Sequence, residues 1–245
     1  MNSQQMKRGM VMLEYFTFAN SDSRNLNILI TTRQLPTPDE QSLTDTIPYR
    51  QGTTDFSSLD GERFFNNRTI TYTAIYKGNF QDRLRVEFLL KKALMSSDYT
   101  ELVDSKDPLN TYWKAKCSSV TVSYTEGDLY FSVEIVFSAR PFLYWSIPEG
   151  NDEWDSFNFD YDVSQDVSFD VDGADVICLI NNGSDSIYPK LIVTGDITVT
   201  CNGYSVEFNT GTYTNTQIRL AEGLNSVKLT GSGSIQFVFN KEVMV

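Results

Sequence analysis

The stretch Ile47-Pro-Tyr-Arg-Gln-Gly-Thr-Thr-Asp55, continuing through Gly61-Glu-Arg-Phe-Phe-Asn-Asn-Arg68 into Thr69-Ile-Thr-Tyr-Thr-Ala-Ile-Tyr76, sets the reading of this chain. Gly52 and Gly61 each mark a turn, because glycine accepts backbone angles that other residues avoid. Ile70, Tyr72, Ala74 and Tyr76 alternate with Thr69, Thr71, Thr73 and Ile75, which predicts a strand with one buried face. Two polar, arginine-bearing loops therefore lead into one amphipathic strand. Arg50, Asp55, Arg63 and Arg68 crowd this span. As isolated surface charges they would add little stability, whereas together they suit polar contacts between subunits. These four are the candidate interface residues.

The alternation extends outward in both directions. Runs at 16–18 and 26–30 read as early strands, and Pro36 and Pro38 break regular structure within an exposed polar connection. Val120, Val122 and Tyr124 alternate into Thr125-Glu-Gly-Asp128, and Leu129, Phe131, Val133, Ile135 and Phe137 alternate back out, a β-hairpin turning at Gly127. One segment departs from the pattern. Over residues 82–95, Val86, Leu89, Leu90, Ala93 and Leu94 fall at helical spacing and predict a core-facing stripe, with Arg83, Arg85, Glu87, Lys91 and Lys92 mostly on the solvated side. Asp82 suits the first turn of this helix, and Glu87 and Lys91 have the favourable i,i+4 order.

The hairpin's second strand runs into Arg140-Pro141, where proline removes a ladder donor and favours an exit. This predicts an N-terminal domain over 1–141 and a C-terminal domain over 142–245. Phe142, Leu143, Tyr144 and Trp145 would lie at the joint, with 148–152 as linker. Beyond it, strands are expected at 177–180, 191–193, 197–201, 205–208, 216–220, 226–229 and 235–239, separated by Gly, Asn and Asp turns. The fold class that follows is mainly β: an N-terminal β-domain with one packed helix, then a C-terminal β-sandwich of jelly-roll or galectin-like type.

Charge separates the two halves. Residues 1–141 carry 16 Lys and Arg against 17 Asp and Glu, a net of −1, whereas residues 142–245 carry 4 against 15, a net of −11. Ten carboxylates fall between Glu149 and Asp175, and no cation falls between Arg140 and Lys190. Tight nucleic-acid binding is not expected of such a surface, because phosphate recognition relies on Lys and Arg. Cys117, Cys178 and Cys201 cannot all pair within one chain, and Cys201 alternates with Val199 and Ile197 as a buried free thiol would. No apolar run approaches the roughly 20 residues that cross a bilayer. Lys7 and Arg8 precede too short an apolar stretch for a secretory core, so synthesis in a reducing cytoplasm is expected.

The chain has no histidine, which excludes Ser-His-Asp and Cys-His catalysis and histidine-ligated metals. It also lacks a phosphate-binding Gly-Lys-Ser or Gly-Lys-Thr loop, and no cofactor is expected. Glu149, Asp152, Glu153, Asp155 and Asp160 are the carboxylates from which a glycosidase pair would come, but acidic runs are usually solvated faces. Asp170-Val-Asp172-Gly173 hints at calcium without the further ligands of an EF-hand loop, and a turn is the simpler reading. Trp154, Tyr161 and Tyr204 are the aromatic side chains that would stack on sugars. They keep open an alternative function, a carbohydrate-binding adhesion module contacting a glycan on the host surface.

The series of features in 47–76 resembles the N-terminal signature of the phage distal tail proteins (Dit), hub components of long non-contractile tails. Pro48 and Tyr49 end an extended segment, Arg50-x-Gly52 forms a loop with Asp55 three residues on, and Gly61, Arg63, Asn67 and Arg68 precede the alternating strand. A second resemblance lies in Asn181-Asn-Gly183, in Pro189-Lys-Leu-Ile-Val-Thr-Gly195, and in Glu222-Gly-Leu-Asn225 before Val227. The resemblance implies a structural protein without enzymatic activity, placed at a virion tail tip. Its N-terminal domain would form a six-membered ring between the tail tube protein and a baseplate or fibre protein. Its C-terminal sandwich would project outward, and DNA would pass the lumen unbound.

Overall fold

The computed structural model describes residues 14–57, 62–76, 79–107, 110–123, 130–150 and 162–245. The chain divides into two units, Met1–Pro108 with Trp113–Arg140, and Leu109–Tyr112 with Pro141–Val245.

The first unit contains β1 (Phe16–Phe18), β2 (Ser21–Asp22), β3 (Ile28–Gln34), β4 (Thr44–Asp45), β5 (Thr54–Asp55) and β6 (Arg68–Tyr76). A 3₁₀ turn over Phe80–Asp82 leads into α1 (Arg83–Leu94), followed by β7 (Thr100–Asp104). The long strands β8 (Thr111–Ser123) and β9 (Phe131–Trp145) form the expected hairpin, whose turn around Gly127 lies outside the described residues. The sheet order is β2-β1-β7-β8-β9-β6-β3. Although β1 and β6 are far apart in that order, their side chains meet. The Phe16 and Tyr72 rings lie 4.8 Å apart and Phe18 and Phe137 4.9 Å. The sheet therefore curls until its two ends share one aromatic core. Polar groups close the same seam: Tyr72 Oη donates to Asp104 Oδ2 at 2.9 Å, and Arg33 Nε donates to it at 2.7 Å.

Helix α1 buries Val86, Leu90 and Leu94 at i,i+4 spacing. Leu89, expected in that stripe, is exposed instead, as are Leu84 and Phe88. A 3.6-residue repeat places a residue every 100°, which carries Leu89 about 100° away from Leu90 and off the core face. The intrahelical pair has Lys91 Nζ 2.5 Å from Glu87 Oε1.

β9 runs on through Pro141 to Trp145, so the proline does not end the strand. Its last residues, Leu143 and Tyr144, pair with the final strand of the chain. The second unit holds β10 (Ser168–Asn181), β11 (Lys190–Cys201), β12 (Tyr204–Phe208), β13 (Gly211–Tyr213), β14 (Gly223–Val238) and β15 (Glu242–Val243). Its main sheet has the order β10-β14-β11-β12, with β13 also on β11. The two runs expected at 191–193 and 197–201 are one strand, as are those at 226–229 and 235–239. Residues 216–220 make no strand and contribute one isolated bridge, Leu220 to Ile187.

Glycine explains why long strands read as pairs of short ones. Gly173 lies opposite Gly231, and Gly195 opposite Gly233, in the β10-β14-β11 ladder. All four have positive φ, from 90° to 146°. They occupy the inward-facing register of Val171, Ile177, Val193, Ile197, Leu229 and Ile235, which join a single buried cluster from both sides of the glycines. With no side chains at the crease, the sheet folds across it and each half covers the other. Backbones approach so closely there that a Cβ on Gly233 would lie 1.9 Å from the Thr194 carbonyl oxygen. The ladder hydrogen bonds continue across the crease, so glycine bends these strands instead of ending them.

Candidate subunit interface

Between β3 and β6 the chain leaves the sheet as an arm, residues 35–67. Its two legs are tied by the β4–β5 pairing, a Glu40–Phe65 bridge, and the backbone bonds Gln41 N to Phe64 O at 2.7 Å and Asn66 N to Asp39 O at 2.8 Å. Tyr49 at the tip has φ of 66° and Gly52 of 85°, which turns the chain back. From Gln41 to Thr53 every residue is exposed, Leu43, Ile47 and Tyr49 included. Phe56 and Phe64 are exposed further down the legs. A two-stranded hairpin without a core is marginal in water. This one also leaves several large apolar side chains exposed, Leu43, Ile47, Tyr49, Phe56 and Phe64.

The four candidate residues divide by position. Arg50 is exposed at the tip. Asp55 is exposed on β5, where its carboxylate accepts the Ser57 N–H at 2.9 Å; hydrogen bonds from Ser57 hold its pKa below the ordinary value. Arg63 is exposed on the return leg and bonds Glu40 Oε2 at 2.5 Å, which pulls the Glu40 carboxyl down in pKa. Arg68 differs from the other three. It is 3% exposed, its guanidinium lies 4.3 Å from the Trp113 ring centroid, and its Nη2 donates to Leu35 O at 3.0 Å. Burial lowers its pKa. Arg68 thus belongs to the interior of its own unit and fastens the root of the arm, leaving Arg50, Asp55 and Arg63 to face outward. Its place as the first residue of an alternating strand was the available clue, because the strand's buried face includes that position. Gly61, between the loops, lies outside the described residues.

Of the carboxylates weighed for catalysis, Glu149 is buried, and Asp152, Glu153, Asp155 and Asp160 lie outside the described residues. Lys241 Nζ sits 3.6 Å from Glu149 Oε1, bonds Asp162 and lies 4.5 Å from the Trp145 ring centroid. Gln165 spans Glu149 Oε2 at 3.3 Å and the Ile180 backbone. Burial raises the Glu149 pKa against the opposing pull of Lys241. Sequence reasoning missed Lys241, whose signal was its rarity as one of four cations in the acidic half.

Asp170 and Asp172 lie on β10 opposite Ser234 and Ser232, so the expected turn there is a strand. No group of three or more metal-ligating side chains assembles among the described residues. Tyr204 is exposed, whereas Trp154 and Tyr161 lie outside the described residues. The three cysteines are free thiols, with Cys117 and Cys201 buried and Cys178 exposed. Among the described residues no helix is long and apolar enough to cross a membrane.

No protein-family profile matches the chain, and no curated protein does. Among solved structures, the Dit protein of phage SPP1, described as a paradigm of the hub adsorption apparatus in phages infecting Gram-positive bacteria, aligns with a TM-score of 0.65. The alignment covers 93% of this chain and 98% of that one at 14% identity. Two structures of the phage P2 baseplate in its activated conformation, with calcium and with strontium, align at TM-scores of 0.43 and 0.42 and identities of 9% and 10%. They cover 96% and 94% of this chain and 99% and 97% of theirs. The chain has, along nearly its whole length, the mainly β fold of the SPP1 Dit protein.

Proposed function

We propose that this chain is a distal tail hub of a siphophage or related prophage, a structural, non-enzymatic component of the virion tail tip. The observation that carries this reading is the agreement of fold with SPP1 Dit across both units, covering almost all of each chain. The coreless arm supports it, since a ring subunit must offer its neighbour a surface that its own fold leaves uncovered. In this reading the first unit forms a closed six-membered ring through repeated head-to-tail contacts. One ring face meets the tail tube protein and the other meets a baseplate or fibre protein. The near-neutral first half suits close packing around the ring better than the half at −11, where self-repulsion favours an outward, solvated position. DNA passes the lumen without tight binding.

Light scattering across a concentration series tests the reading. The expected species is six times the 27.8 kDa chain, with rings seen by electron microscopy of the same sample. A monomer at every concentration would remove ring closure by the chain alone.

A further inference from the structure

Helix α1 carries a second apolar face on the side away from its core stripe. At 100° per residue, Leu84, Phe88 and Met95 fall within about 40° of one another, roughly opposite Leu90. They are 69%, 64% and 45% exposed. Lys91 flanks this ridge on one side, with Arg85 and Lys92 on the other. The helix as a whole has four cations against one Glu, a net of +3, whereas arm residues 35–67 have six carboxylates against two arginines, a net of −4. One surface is apolar with a basic rim, and the other is apolar with an acidic one.

We propose that the arm of one copy lies along α1 of a second copy, placing Tyr49 and Leu43 on the Leu84–Phe88 ridge and Asp39 and Asp45 near Arg85 and Lys92. The inference rests on the ring reading and names its contact. A second copy is the occupant because both complementary surfaces belong to this chain and both remain exposed in the single subunit. Donor and acceptor surfaces differ, so the contact is head-to-tail: every copy gives an arm and receives one. Contacts of this type close into rings when the rotation between neighbours permits. Apolar burial would supply most of the attraction, and the rim charges would set partner and register.

The test uses full-length chain with Cys178→Ser, which removes the exposed thiol; Cys117 and Cys201 are buried. One preparation carries Tyr49→Cys and another Phe88→Cys, and the two are mixed with a short bismaleimide. Two-chain covalent product is expected in the mixture and not in either preparation alone. Reversing the helix rim with Arg85→Glu and Lys92→Glu should reduce that product about tenfold, the effect of losing roughly 1.4 kcal/mol. Asp39→Lys with Asp45→Lys in the arm preparation should restore it. Oligomers detected by light scattering without the mixed crosslink would overturn this pairing and leave the ring reading standing. Crosslinking of the Tyr49→Cys preparation with itself would overturn it in favour of an arm-to-arm contact. A chain that stays monomeric and uncrosslinked at the highest concentration would overturn the pairing and also count against the ring.

Discussion

The arm and the creased sheet of the second unit are both antiparallel β-structure, yet they solve opposite problems. In the sheet, β10, β11 and β14 bury alternate residues and fold over glycines, so one strand supplies side chains to both halves of a core. In the arm, thirteen consecutive residues from Gln41 to Thr53 are all exposed, and the legs hold together by a few backbone bonds. Hydrogen-bonded pairing alone adds little net stability in water. The sheet completes its core within one chain, whereas the arm leaves Leu43, Ile47 and Tyr49 exposed in the single subunit. The exposed apolar side chains of the arm are what the proposed pairing would cover, while the same residue types in the sheet serve folding.

Glycine substitution should break this comparison most sharply. Gly233→Ala places a Cβ against the Thr194 carbonyl oxygen, and Gly195→Ala places one 2.2 Å from Ser232 O. Either change forces two backbones apart at the crease and should cost at least about 3 kcal/mol, the scale of the severe, named mechanisms. Gly52 also has positive φ, but nothing lies within 4 Å of an added Cβ. Gly52→Ala should cost only about 1 kcal/mol of local strain at the arm tip. Urea denaturation combined with hydrogen exchange reads both. Protection across β11 and β14 should collapse in Gly233→Ala and persist in Gly52→Ala; equal profiles would mean that the crease tolerates a side chain.

The ion pairs divide in the same way. Lys241→Met leaves Glu149 without its buried cation and should destabilise the second unit by about 3–5 kcal/mol, the cost of breaking one partner from a buried pair. Adding Glu149→Gln and Asp162→Asn should recover part of that loss, because the stranded charges go with it. The Arg63–Glu40 pair on the arm is solvated, and Arg63→Ala should leave the midpoint of urea unfolding unchanged within error. A Lys241→Met protein as stable as the parent would mean that Glu149 is held neutral.

Strand alternation made most of the first unit legible, since residues 68–76 and the strands on either side of Gly127 each keep one face buried. The second unit was legible as β-structure but not as long strands, because glycine in a sequence marks either a turn or a crease, and only the facing strand decides between them. Gly231 and Gly233 stand opposite Gly173 and Gly195, a register no local pattern reports. The helix was legible in position, but counting toward one apolar stripe does not register Leu84 and Phe88, which lie exposed on another face. The arm's candidate residues were readable as a polar cluster. The burial of Arg68 was signalled only by its place on the buried face of its strand, while its partner Trp113, 45 positions away in the chain, was not readable.

Acid should separate the two units by the smallest of these effects and in opposite directions. In the first unit, hydrogen bonds from Lys106 and Arg33 lower the pKa of Glu14, and those from Arg24 lower that of Asp22. Such groups contribute stability above their ordinary values, 4.5 and 3.8, and lose it as pH falls through the lowered folded values. In the second unit, burial raises Glu149 and Asp185 above 4.5 and 3.8. Their contribution is complete below those values and is lost as pH rises through the raised ones. Protonation also relieves repulsion among fifteen carboxylates. Hydrogen exchange normalised to the intrinsic rate at each pH should show protection falling in β1 and β7, and rising or holding in β10 and β14, as the solution is taken below the ordinary carboxylate range. Parallel losses in both units would mean that the buried carboxylates of the second unit are stabilised as anions, which would make Lys241 a stronger counter-ion than the burial of Glu149 allows.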